Sequence, residues 1–254
     1  MRVAEGTLAP EAAADLLESG LEEFGLPEGS TGRGWTDLGF ARVDTDRARR
    51  TGDPEVVYGA GKTPAQAVAI VRALRDADPQ RPALVTRAPG EVLAALRAEW
   101  PDATVSGSTA TVGAAPEPRG TVAVVSAGTS DAAVTDEAEA TARAFGAGVL
   151  RIDDVGVAGL HRLLDVVPAL RDADCLVVVA GMEGALPSVV GGLVGTPLVA
   201  VPTSVGYGTA MEGVTALLAM LTSCAPGVVV CNIDNGFGAG VFAARVARRM
   251  RAEP

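Results

Sequence analysis

From residue 121 onward, short apolar runs recur with spacers of helical length between them. The runs lie at 121–126 (TVAVVS), 149–152 (VLRI), 175–180 (CLVVVA), 197–201 (PLVAV) and 228–231 (VVVC). Helical stretches are expected over 132–145, 157–172, 184–194, 210–223 and 237–251. A strand that is apolar at successive positions has no face left for water, so it must be covered on both sides. Parallel strands joined by crossover helices achieve this. The expected class is therefore α/β. A flavodoxin-like, doubly wound parallel sheet fills 119–254, behind a smaller N-terminal α/β domain over 1–118. In such sheets ligands bind beyond the carboxyl ends of the strands. Five loops then become the candidate site: 126–131, 153–156, 181–188, 202–209 and 231–240.

The first half is less regular. Residues 10–26 read as an amphipathic helix, with Pro10 in its first turn. Residues 28–53 are polar and rich in glycine and arginine and read as loop, with a short strand at 39–43. Further strands are expected at 55–58, 83–86, 103–106 and 109–112, and helices at 64–77 and 90–100. Residues 113–120 (GAAPEPRG) carry two prolines and no apolar pattern, which marks a linker.

Composition narrows the functional classes. A net charge of −10 argues against a protein that coats nucleic acid, because such affinity comes from a basic face. Three cysteines, an odd number without framework spacing, argue against a disulfide-stapled secreted domain. One histidine leaves little room for a His-based metal site. Neither a signal-peptide core nor a run of membrane-spanning length is evident, so the cytoplasm is the expected location.

The loops carry the chemistry. Ser126, Gly128, Thr129, Ser130 and Asp131 open a helix, where free N–H groups favour a phosphate or carboxylate; a plain helix cap is the competing explanation. Arg151 ends one strand, and His161 lies on the helix after 153–156. A lone histidine is more often structural, yet it is the side chain that titrates nearest neutrality. Glu183 sits between Gly181-Met182 and Gly184 at a strand end, placed either to cap the next helix or to face a ligand. Gly206 and Gly208 punctuate a hydroxyl-rich loop, and Asn235, Gly236 and Gly238 open the last helix. Among the thiols, Cys175 begins a buried strand, Cys231 ends another, and Cys224 stands where a helix turns out. Gly61-Lys62-Thr63 is no phosphate-binding loop, since Val56 replaces the required glycine. Met211 and Val241 break the two dinucleotide-type glycine patterns, so a nicotinamide-dependent dehydrogenase is not supported.

The segment 180–202 (AGMEGALPSVVGGLVGTPLVAVP) resembles the core of the PurE family of aminoimidazole ribonucleotide carboxylases and mutases. The blocks VVYGAGKTP (56–64), SAGTSDAAVTDEA (126–138), RIDDVGVAGLHRLL (151–164) and SCAPGVVVCNIDNGFGAG (223–240) are closer still to its relatives in the LarB family, the pyridinium-3,5-biscarboxylic acid mononucleotide synthases of nickel-pincer cofactor biosynthesis. That resemblance covers most of 55–245. It implies an enzyme that takes nicotinic acid adenine dinucleotide and carbon dioxide or bicarbonate, carboxylates the pyridinium ring and hydrolyses the phosphoanhydride, releasing AMP. It places the nucleophile at Cys224 and an active-site acid at Glu183. The base that would take the ring proton is open among Asp131, Glu183 and His161. The resemblance also implies Mg²⁺ to neutralise phosphoanhydride oxygens, a small-molecule substrate and a homo-oligomer, an octamer by resemblance. Where the purine enzymes carry a histidine before Leu-Pro, this chain has Ala185, which counts against the purine reaction. A non-enzymatic nucleotide-binding module on the same fold is the alternative from another class.

Overall fold

A computed structural model describes residues 34–250; the helix expected over 10–26 lies outside them. The chain first makes an antiparallel hairpin, β1 (Trp35–Asp37) with β2 (Arg42–Asp44), in place of the single strand expected at 39–43. Its turn uses Gly39 at φ +79, a conformation that costs glycine little. The Arg42 guanidinium lies 4.9 Å from the Trp35 ring centroid across the pair. The short helix α1 (Arg47–Thr51), expected as loop, is closed by Gly52 in the left-handed region.

The next elements are β3 (Val56–Tyr58), α2 (Pro64–Ala77), β4 (Ala83–Thr86), α3 (Gly90–Glu99), β5 (Thr104–Ser106) and β6 (Thr109–Val112). Helix α2 begins where Thr63 accepts from the Gln66 N–H while the Gln66 side chain accepts from the Thr63 N–H, with Pro64 in the first turn. The strands form a mixed sheet in the order β3-β4-β6-β5.

The second sheet contains β7 (Thr121–Ser126), β8 (Gly148–Ile152), β9 (Cys175–Ala180), β10 (Leu198–Pro202) and β11 (Val228–Val230). Its order is β11-β10-β9-β7-β8 and every pairing is parallel, so the doubly wound expectation holds. Helices α4 (Ala132–Ala144) and α8 (Gly236–Met250) cover one face, where Val122, Val124, Val177 and Val179 point. Helices α5 (Leu160–Asp172), α6 (Leu186–Leu193) and α7 (Val214–Leu221) cover the other, where Ala123, Val125, Leu176 and Val178 point. That alternation is the period-two geometry of a strand, and each fully buried valine contributes about 1.5–3 kcal/mol.

Two features join the lobes. Leu84 of β4 enters the same core as Ala138 and Ala142 of α4, so α4 is packed between the two sheets. Asp53, almost fully buried, accepts from Arg245 Nε at 2.6 Å and Arg248 Nη2 at 2.5 Å, both on α8. Among the described residues no helix is long and apolar enough to cross a membrane.

Candidate active site at the switch point of the parallel sheet

The chain leaves β7 toward β8 on one side and reaches β9 on the other. The loops after β7 and β9 therefore diverge and open a crevice at the carboxyl ends of the strands. A cleft of about 570 Å³ occupies that position. Gly128, Ser130 and Asp131 line it from the first loop, Gly181, Met182 and Glu183 from the third, and Val205, Gly206 and Tyr207 from the fourth. These three candidate loops thus meet around one space, and Val205 and Tyr207 join the expected residues there. Glu183 is exposed within it, and Tyr207, 80% exposed, stands at its edge.

Asp131 is the most constrained group of the cleft. Its side chain is buried, its Oδ1 accepts from Thr203 Oγ1 at 2.7 Å, and its Oδ2 accepts from the Gly128 N–H at 3.0 Å. Burial pushes its carboxyl above the ordinary range; the Thr203 and backbone hydrogen bonds oppose that rise, and the Asp234 carboxylate adds to it. A carboxyl so tuned can hold or accept a proton nearer neutrality. Close approach of the loops makes this possible: a Cβ on Gly181 would lie 2.6 Å from Thr203 Oγ1.

The loops are also strained. Among the described residues, the non-glycine positions with positive φ are Arg87, Asp154, Met182, Met211, Glu212 and Asp234. Each lies in a loop after the carboxyl end of a strand, on β4, β8, β9, β10 and β11 respectively, with Met211 and Glu212 sharing the β10 loop. Such conformations cost about 1–3 kcal/mol each and persist where the surroundings over-determine them.

Other expected residues lie elsewhere. The Ser126 hydroxyl is buried and donates to Asp153 at 2.7 Å. Arg151 is held by Asp136, Glu139 and Asp153 at 2.8–3.0 Å, so it closes an ion network and does not line the cleft. Thr129 is exposed on the turn before α4 but outside the lining, and His161 is exposed on α5. Gly208 lines a neighbouring hollow with Met211 and Glu212. Asn235 accepts from the Gly238 N–H at 2.8 Å, an ordinary helix cap. Gly236 serves packing, since a Cβ there would collide with the Val134 carbonyl of α4. Cys224 is exposed after α7 and is not part of the cleft lining; its neighbour Ser223 hydrogen-bonds Ser188 on α6 at 2.8 Å. Burial pushes the Cys175 thiol up to about 12 and raises that of Cys231.

Sequence reasoning did not single out Thr203, and its only signal was a hydroxyl one residue past a strand end. Among the described residues no group of three His, Cys, Asp or Glu side chains converges to hold a metal. Mg²⁺ commonly binds through one or two carboxylates together with substrate phosphates and needs no such cluster.

Against known families, residues 121–253 match AIR carboxylase. The chain belongs to the AIR carboxylase family. Residues 35–114 match the LarB/PurE-like N-terminal domain, so both domains occur here in one chain. The uncharacterized protein MJ0165 of Methanocaldococcus jannaschii is 40% identical over 222 residues, 82% of this chain and 84% of that protein. Family membership supports a carboxylase-type activity and makes the switch-point cleft the place to look for it.

Proposed function

We propose that the protein carboxylates the pyridinium ring of nicotinic acid adenine dinucleotide and hydrolyses its phosphoanhydride, giving pyridinium-3,5-biscarboxylic acid mononucleotide and AMP for nickel-pincer cofactor biosynthesis. One observation carries the reading: a LarB/PurE-like N-terminal domain precedes the AIR carboxylase domain in the same chain. Cleft and thiols are consistent with it. Ala185 lines the cleft at the position before Leu186-Pro187, where the resemblance to the purine enzymes leads one to expect a histidine. Of the three free thiols only Cys224 is exposed.

A pyridinium ring is electron-poor and does not attack carbon dioxide. Addition of the Cys224 thiolate to the ring quenches its positive charge and leaves an enamine, whose carbon attacks carbon dioxide. A base then takes the ring proton, and aromaticity returns as the thiolate leaves. Asp131 and Glu183 face the cleft and are the proposed proton carriers. Exposed His161 remains a weaker candidate, because it is off the lining. Water then cleaves the phosphoanhydride.

A homo-oligomer belongs to the proposal. Val214, Leu218 and Leu221 are exposed at successive turns of α7, and this helix runs toward Cys224. Association through that face would bring the thiol beside a neighbouring copy.

The test is incubation with the dinucleotide, bicarbonate and Mg²⁺, read by mass spectrometry and AMP release. Wild type should give the dicarboxylated mononucleotide, and Cys224→Ser should bind the dinucleotide without dicarboxylating it. Full activity in Cys224→Ser, or a ring adduct on Cys231, would remove the assigned thiol. Turnover of aminoimidazole ribonucleotide instead would favour the reaction for which the family is named.

A further inference from the structure

We infer that the N-terminal lobe takes part in substrate binding through Arg87, whose guanidinium holds a phosphate of a diphosphate-bridged ligand in the groove between the lobes. The inference rests on the reading above for the identity of the ligand, though not for the existence of an oxyanion site.

The groove measures about 260 Å³ and is walled by Arg87 and Ser108 of the first lobe and by Ser130, Glu137, Ser204 and Asp234 of the second. Ser130 and Val205 line both this groove and the switch-point cleft, so the two spaces adjoin. A ligand with its reacting ring in the cleft can therefore extend a second half toward Arg87. Charge supports the direction. Asp131 and Glu183 line the cleft, Glu137 and Asp234 line the groove, and Arg87 is the one cation among the described residues lining either. A dinucleotide carries its negative charge on the bridge, and a chain of net charge −10 must meet that charge locally.

Arg87 is built to do so. It follows β4 at φ +51, sharing the strain of the loops around the cleft. Its Nε donates to Glu137 Oε1 at 3.2 Å and its Nη2 donates to the Asp234 carbonyl. Those bonds fix the guanidinium plane and use two of its five N–H donors, leaving three for a ligand. The side chain is 41% exposed, so a ligand has access. Glu137 also accepts from the Phe237 N–H at 3.1 Å and is thereby shared with the start of α8. A planar fork of donors suits a phosphate better than an ammonium does.

The test is calorimetric titration of the full chain with inorganic pyrophosphate, with nicotinate and with the dinucleotide, in wild type, Arg87→Ala and Arg87→Lys. Wild type should bind pyrophosphate and the dinucleotide, and Arg87→Ala should weaken both about 10- to 100-fold, the range for a lost hydrogen bond between charged groups. Arg87→Lys should recover only part of this, and nicotinate binding should be unchanged. If Arg87→Ala weakens nicotinate alone, Arg87 meets the ring carboxylate and the bridge assignment is wrong. If all three ligands bind Arg87→Ala as they bind wild type, or wild type binds no pyrophosphate, the inference falls, whatever the enzyme turns over. Arg87-dependent pyrophosphate binding without turnover of the dinucleotide would sustain the oxyanion site and overturn the proposed reaction instead.

Discussion

Asp53 is the clearest place to test what couples the two lobes. Asp53 is 2% exposed, and its carboxylate faces two arginines on α8, Arg245 and Arg248, at 2.5–2.6 Å. Replacing one partner of a buried ion pair typically costs about 3–5 kcal/mol, because the other charge is left without compensation. That range needs discounting here. Arg245 is 53% exposed and can turn to water, so its loss is small. Arg248 is 24% exposed, and its Nε is already buried without a partner, so it cannot rehydrate as easily. Asp53→Ala should therefore cost about 2–3 kcal/mol. At about 2–4 °C per kcal/mol for a chain of this size, Tm should fall by about 4–12 °C. Urea and thermal unfolding followed by circular dichroism would measure it, with Arg245→Ala and Arg248→Ala in parallel. Arg248→Ala should cost more than Arg245→Ala, and the Asp53–Arg248 double-mutant cycle should show coupling. A loss under about 0.5 kcal/mol for Asp53→Ala, or equal costs for the two arginines, would refute burial as the source of the clamp's strength.

Three further outcomes are expected. Gly236→Ala forces a Cβ into the Val134 carbonyl and Glu137 Cβ, so it should destabilise by about 1–3 kcal/mol in denaturant titration, whereas Gly192→Ala on α6, with nothing within 4 Å, should be neutral or stabilising by up to about 1 kcal/mol. Thr203→Val removes the Oγ1 donor to Asp131, which disfavours the carboxylate, so the acidic limb of kcat/KM should move to higher pH; an unmoved limb would exclude Asp131 as the titrating group. Asp131 has its folded-state carboxyl raised, so the native state binds more protons than the unfolded chain from the ordinary value of 3.8 up to the raised value. Its contribution to stability is thus lost as pH rises through that window. The wild-type minus Asp131→Asn difference in unfolding free energy should therefore decline as pH rises from about pH 3 to about pH 8, and a flat difference would exclude the raised carboxyl.

Much of the second sheet was legible because its signal is local. The runs at 121–126 and 175–180 became β7 and β9 without a change of boundary. The helix expected over 210–223 shortened to 214–221, since Met211 and Glu212 take left-handed conformations that no periodicity announces. Arg42 and Trp35 belong to a hairpin read only in part, whose strands are three residues long and too short for an alternating pattern to register. The candidate site divides on the same principle. Asp131 and Glu183 were found because strand ends locate them. Arg87 with Glu137, Asp53 with Arg248, and Thr203 with Asp131 are pairs 50, 195 and 72 residues apart, and a single sequence carries no mark of which distant side chains will meet. Gly236 and Arg151 offered the right chemistry for a ligand, yet folding commits one to helix packing and the other to three carboxylates.

Helix α4 lies between two sheets, and only Ala133 and Arg143 along it are exposed. This has a consequence for the order of events during synthesis, when the amino-terminal part of a chain leaves the ribosome first. The sheet of β3–β6 emerges complete, but the side of it that carries Leu84 has no cover until residues 132–144 follow. The first lobe thus waits, partly open, for a helix encoded in the second. The nascent chain is exposed to mispairing over that interval, and the linker at 113–120 sets how soon it ends.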